Sequence, residues 1–239
     1  DDINAVMGQE TGYCTLNPLR HGGSTTTSLS LTNGNLRSTH NTSGQWQFIQ
    51  GTMAVSSGKW YYECKVVTRP TDTNENYNIG FYDASAFNSG YYTLSGNLTA
   101  GVRGVGFYKW YDTSETPLAP RGATQITYGT IPSEGDVLMF ALDVENGKFW
   151  VGLNGVWMES GNPELGINAS ISENSISTKE WVPHVSSYAY NPPYGVFDCN
   201  FGQKPFKYAP PEGFQPLNLA NLPSPGVVRP DQYVGVTTY

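Results

Sequence analysis

Charge is what this chain has least of. Only 14% of its 239 residues are Asp, Glu, Lys or Arg, and the balance is −7. Nucleic-acid binding needs clustered Lys and Arg to neutralise phosphates, and no such patch occurs. The acidic balance reads as a device for solubility. Long apolar runs are also missing, which excludes a helix that spans a bilayer, and no signal peptide is visible. No stretch repeats apolar residues at i, i+3, i+4 and i+7 over several turns, so a helical scaffold is not expected. Cysteine is scarce and odd in number: Cys14, Cys64 and Cys199. Three thiols so far apart do not make a disulfide framework, and without a Cys-x-x-Cys pair a structural zinc site is not expected. They read as buried or incidental thiols of a protein folded in a reducing cell. Asn-x-Ser/Thr occurs at Asn41, Asn97 and Asn168, matches that a chain rich in these residues produces by chance.

Catalytic constellations are absent in the same way. His21 and His40 lie in polar segments and His184 in a predicted strand, none at an HExxH spacing. There is no Gly-x-Ser-x-Gly elbow. Asp143 and Glu145 come nearest to a carboxylate pair. At i, i+2 beside a predicted turn they read as local hydrogen-bonding groups, whereas glycosidases line a groove with two carboxylates about 5–10 Å apart. Gly104-Val105-Gly106 is too short to cradle a phosphate. No enzyme activity, metal or cofactor is expected.

What the chain does have is Gly (27), Pro (16) and Tyr (16), with aromatics at 13%. Turn formers and aromatics in these amounts predict an all-β protein with prominent loops. GDVLMFALDVENGKFWVGLNGVW, residues 135–157, is the most informative stretch. With Asn146-Gly147 as a two-residue turn, Val144 would face Phe149, Leu142 Val151 and Phe140 Leu153, all six on one side of the sheet. Asn154-Gly155 would return the chain through Val156 and Trp157. Such an apolar face must be covered by a second sheet, so the fold class is an antiparallel two-sheet β-sandwich. Trp150 falls on the opposite face, either as cover for that surface or as lining of a concave binding face.

Further strands are expected around the Asn33-Gly34 turn, over Trp46–Ile49 with Gln47 outward, and over GKWYYECKVV. In the last of these Trp60, Tyr62, Cys64 and Val66 share one face, and Tyr61, Glu63 and Lys65 the other. NIGFYDA, GVGFYKWY, Trp181–Ser187 and VFDCNFG complete the set. Residues 1–28 read as an irregular N-terminal segment, 29–203 as the sandwich, and 204–221 as a Pro-rich tail without regular structure. In and just before that tail, Phe201, Phe206, Tyr208, Phe214 and Leu217 would lie on the sandwich. Residues 222–239 read as a linker to a further module. The chain starts Asp-Asp and stops inside the extended-looking QYVGVTTY, as expected of a piece of a longer polypeptide.

GKWYYECKV, NIGFYDA, GVGFY, GDVLMFALDVENGKFWVGLNGVW, WVPHVSS and FDCNFG occur in the order of a SPRY domain, called B30.2 when it is extended at its N-terminus. WYYE at 60–63 resembles that family's tryptophan–glutamate strand and LDVE at 142–145 its leucine–aspartate strand. LNP at 16–18 resembles the leucine–aspartate–proline motif of the extension, with Asn17 in place of the acid. The resemblance covers residues 14–203 and implies a concanavalin A-like jelly roll of two packed sheets. NFGQKPFKYAPPEGFQPLNLANLPSP further resembles the segment after SPRY domains in large virion proteins of tailed bacteriophages. The long loops at 83–104 and 111–127 depart from the family pattern.

In SPRY domains the loops at one edge of the sandwich form the partner-binding surface. The resemblance therefore makes the loop aromatics Tyr91, Tyr92, Trp110, Tyr111, Tyr188, Tyr190 and Tyr194 the candidate site. Aromatics of this kind give large contact area for little ordering cost. The implied function is a non-enzymatic binding module of a bacteriophage virion, for example on a tail fibre, that recognises a host-surface glycan or protein. The alternative is an assembly module, a head decoration or fibre hub, that contacts neighbouring virion subunits or copies of itself. Neither role involves nucleic acid or membrane insertion, and both imply assembly in the reducing host cytoplasm.

Overall fold

The computed structural model describes residues 12–23, 29–41, 43–70, 76–86, 104–109 and 131–222. Fourteen strands are found there: β1 Leu16–Gly23, β2 Ser30–Thr32, β3 Arg37–Thr39, β4 Gln47–Gly51, β5 Lys59–Thr68, β6 Asn76–Asp83, β7 Gly104–Lys109, β8 Val137–Asp143, β9 Lys148–Leu153, β10 Val156–Trp157, β11 Ile171–Ser172, β12 Trp181–Tyr188, β13 Val196–Asn200 and β14 Gln215–Pro216. The only helices among the described residues are short 3-10 turns. One sheet runs β1-β4-β12-β6-β7. The larger runs β10-β9-β8-β5-β13-β3-β2, with β11 on β9 and β14 on β5.

The two sheets enclose one apolar core. Tyr62, Phe140, Leu142, Phe149 and Val151 of the large sheet meet Ile49, Ile79, Phe81, Phe107 and Val185 of the small one, all buried. Each side chain of this size contributes roughly 1.5–3 kcal/mol when buried. The polar ends inside the core find partners, as burial demands. Tyr62 donates its hydroxyl across the sheets to the Gly80 carbonyl at 2.6 Å, and the Trp181 indole donates to Ile176 O at 2.8 Å.

The apolar face of the β8-β9 hairpin is as expected, but its register is not. Phe140 lies opposite Val151, Leu142 opposite Phe149 and Asp143 opposite Lys148. The turn is therefore the four residues 144–147, with Gly147 left-handed at φ +62° and its N–H on Val144 O at 3.2 Å. Asp143 is the reason. Its carboxylate accepts the Asn146 backbone N–H at 3.0 Å and the Asn146 side-chain N–H at 2.8 Å, which stabilises a type I turn and overrides the two-residue Asn-Gly turn. A shift of two leaves every side chain on its expected face. Asn154-Gly155 does form the tight turn, both residues at positive φ. At Asn33-Gly34 the loop is also four residues long, closed by Leu36 N–H on Thr32 O.

Trp150 is no part of a concave face. With Tyr61, Met139 and Ala141 it forms a second buried layer, covered by Trp157, Phe206, Tyr208 and Phe214. Its indole donates to Ile167 O at 2.9 Å. The large sheet is thus buried on both faces, and the tail supplies much of the outer cover. Glu63 fixes that cover. It is 4% exposed and accepts the backbone N–H groups of Lys207 at 2.9 Å and Tyr208 at 2.7 Å, with the Tyr61 hydroxyl at 3.1 Å. The tail is not wholly irregular either: β14 pairs in parallel with Trp60 and Tyr61 of β5.

The N-terminal segment also departs from the expected irregularity. Leu16–Gly23 is an edge strand on β4, with a bulge between Leu16 and His21 that breaks the alternation a strand would otherwise show. Cys14 and Leu16 plug the core. Beside them Cys14 N–H donates to Leu217 O at 2.8 Å and Leu219 N–H to Gly12 O at 3.1 Å. Gln47, expected to face outward, is buried and accepts the Asn41 N–H at 2.9 Å. Of residues 222–239, read as a linker, all but Leu222 lie outside the described residues.

Candidate binding surface

The small sheet ends in aromatics. β12 runs opposite β4 so that Ser187 faces Gln47, which sets Trp46 against Tyr188 with ring centroids 5.5 Å apart. Tyr190 stands edge-on to Tyr188 at 5.4 Å and 81° and is 48% exposed. The backbone beneath is tied at several points. Ser43 bridges to Ala189 in parallel, Gly44 N–H donates to Ala189 O at 2.8 Å, and the Ser43 hydroxyl donates to Tyr190 O. Gly44 has φ +65°, and a Cβ there would come within 3.1 Å of the Tyr190 ring, so any larger residue would be strained under that side chain. On the far side of the loop, Gly195 O accepts His40 N–H at 3.0 Å. Between lie the exposed Asn191, Pro192 and Pro193 and the half-buried Tyr194.

Of the seven candidate aromatics, Tyr188, Tyr190 and Tyr194 therefore fall on one strand end and its loop. Tyr91, Tyr92, Trp110 and Tyr111 lie outside the described residues. Their points of attachment differ. The segment with Tyr91 and Tyr92 joins β6 and β7 at the end where Tyr82 pairs with Gly104. The one with Trp110 and Tyr111 leaves β7 after Lys109, opposite Tyr77, at the end where Tyr188 pairs with Asn76. An eight-residue strand separates the two ends by about 25 Å. Trp46 and the Ser43-Gly44 strap were missed from sequence, because only the pairing of β4 with a strand some 140 positions away brings them to the site.

Behind the aromatics, the outer face of the small sheet holds a stack. His184 lies 5.8 Å from Phe48 and 5.0 Å from Tyr82, both nearly parallel to it. It is 1% exposed, and neither ring nitrogen meets a hydrogen-bond partner. Burial pushes His184 down to about 3, helped by His40, and burial likewise pushes His40 down to about 3. Both stay neutral in the folded protein while an unfolded chain takes up protons near pH 6.5. Stability is then full above about pH 6.5 and falls as pH drops toward 3, by about 1.4 kcal/mol per pH unit for each histidine. Thermal midpoints between pH 7 and 4 should show this slope, and His184→Gln should roughly halve it. A flat profile would mean that the rings are protonated when folded.

Asp143 serves the hairpin turn and Lys59, 3.3 Å from its carboxylate, while Glu145 is exposed on a cleft of about 410 Å³ shared with Lys59, Trp60 and Gln215. Among the described residues no group of three or more His, Cys, Asp or Glu is placed to hold a metal, and no helix is long and apolar enough to cross a membrane.

No protein-family model and no curated protein matches the sequence. Solved structures do. The SPRY domain of human HERC1 superimposes with a TM-score of 0.56 at 17% identity, over 80% of this chain and 99% of that one. The fold is that of a SPRY domain. The PSpry domain of TRIM65 aligns at a TM-score of 0.46 and 10% identity over 79% of this chain and 89% of its own. At 17% identity the likeness to the HERC1 domain extends to the fold alone.

Proposed function

We propose that this protein is a non-catalytic binding module of a bacteriophage particle, which captures a host-surface glycan or protein on the surface of Trp46, Tyr188 and Tyr190. The observation that carries the reading is Tyr190: a large, half-exposed ring held from below by Gly44 and from the side by Tyr188. An aromatic fixed before contact loses little freedom when it binds, and its face suits a sugar ring as well as a peptide. The virion setting rests on the wording of the tail, 200–223, and its resemblance to phage proteins.

Tyr190→Ala tests the surface. It should weaken binding of the chain to isolated host envelope by about 30-fold or more, the range of a central anchor, and shift the thermal midpoint by less than about 3 °C. Unchanged binding would remove Tyr190 from the site. An antibody against residues 188–195 should label intact particles. Labelling only after disassembly would favour the assembly role, and no labelling in either state would refute the virion setting.

A further inference from the structure

We propose that Cys64 and Cys199 are a latent disulfide, a cross-strand bridge between β5 and β13 that closes when the folding chain meets a small-molecule disulfide. The two residues lie directly opposite one another, although 135 positions separate them in sequence, and their sulfurs are 3.7 Å apart. The backbone favours closure. Cys199 N–H donates to Leu36 O at 2.8 Å, away from β5, so Cys64 and Cys199 form a non-hydrogen-bonded pair. Opposed side chains come closest in such pairs, with Cα atoms about 4.5 Å apart, at the near end of the range that a disulfide spans. A bond of about 2.05 Å needs each sulfur to move by roughly 0.8 Å.

The third thiol is turned elsewhere. Cys14 donates its S–H to Thr15 O at 3.6 Å and receives the Thr52 hydroxyl at 3.8 Å. In the finished fold the pair is slow to react: both sulfurs are buried, and the bond to Cys64 together with burial pushes the Cys199 thiol well up. Closure therefore belongs to the stage before β13 docks. One thiolate attacks glutathione disulfide, forming a mixed disulfide and expelling one glutathione thiolate. The other cysteine, on losing its proton, attacks the protein-side sulfur and expels the second. Two thiols and one glutathione disulfide become one protein disulfide and two glutathiones.

The plain alternative is that two small thiols merely fill the core. To decide, the full chain is unfolded, reduced, and refolded in a buffer of glutathione and its disulfide, then alkylated with iodoacetamide in denaturant. One alkylated cysteine, a peptide linking 64 to 199, and a thermal midpoint about 4–16 °C above that of the reduced protein are expected, with dithiothreitol restoring the lower value. Cys14→Ser should behave in the same way and Cys64→Ser should give no link. The wild-type peptide map decides even if a variant fails to fold. Three alkylated cysteines after oxidative refolding, or a bridge to Cys14, would overturn the proposal.

Discussion

Phe140→Ala should destabilise the protein by about 3–5 kcal/mol and lower its thermal midpoint by about 6–20 °C. Phe140 is fully buried in the middle of β8, 4.9 Å from the Tyr62 ring and 6.2 Å from that of Phe149. Its removal opens a void beneath a large sheet that is braced on its far side by the tail, so collapse around the cavity is resisted and most of the cost remains. Leu142→Ala, two positions along the same face, should cost about 2–5 kcal/mol by the same mechanism. Calorimetry of the purified variants measures both. A midpoint within a degree or two of the parent would mean that these side chains do not face the opposite sheet.

The second large effect is expected at Glu63. Glu63→Ala removes the acceptor of the Lys207 and Tyr208 N–H groups and should cost about 2–4 kcal/mol, since hydrogen bonds to a charged group are worth about 1.5–3 kcal/mol each and water recovers part of the loss. The consequence is local as well as global. With the tail untied, Phe206 and Tyr208 lift from Tyr61 and Trp150, and trypsin should cut after Lys207 far sooner than in the parent. Glu63→Gln keeps an acceptor and should show about half the effect. Equal resistance of Glu63→Ala to trypsin would mean that packing alone holds the tail.

Much of this was legible in the sequence where a local rule decides it. Period-two alternation identified the core faces of β5, β8 and β9, because a side chain's face depends only on its own strand. The clustered aromatics of the tail indicated that it packs, since so much apolar surface is not left in water. Registers and neighbours were harder. Asp143 moved the hairpin by two residues with hydrogen bonds that the Asn-Gly signal does not encode. A bulge hid β1. The partnership of Glu63 with residues 207 and 208, the meeting of Trp46 with Tyr188 and that of Cys64 with Cys199 all join positions more than 100 apart. Only the closed topology brings them together.

The clasp between Gly12–Cys14 and Leu217–Leu219 has one more consequence. Incoming and outgoing chain lie side by side, about one strand spacing apart. A unit with such closely set ends can be grafted into a surface loop of another protein without prising that loop open. It would then hang there as a pendant, its aromatic tip carried by the neighbouring sheet.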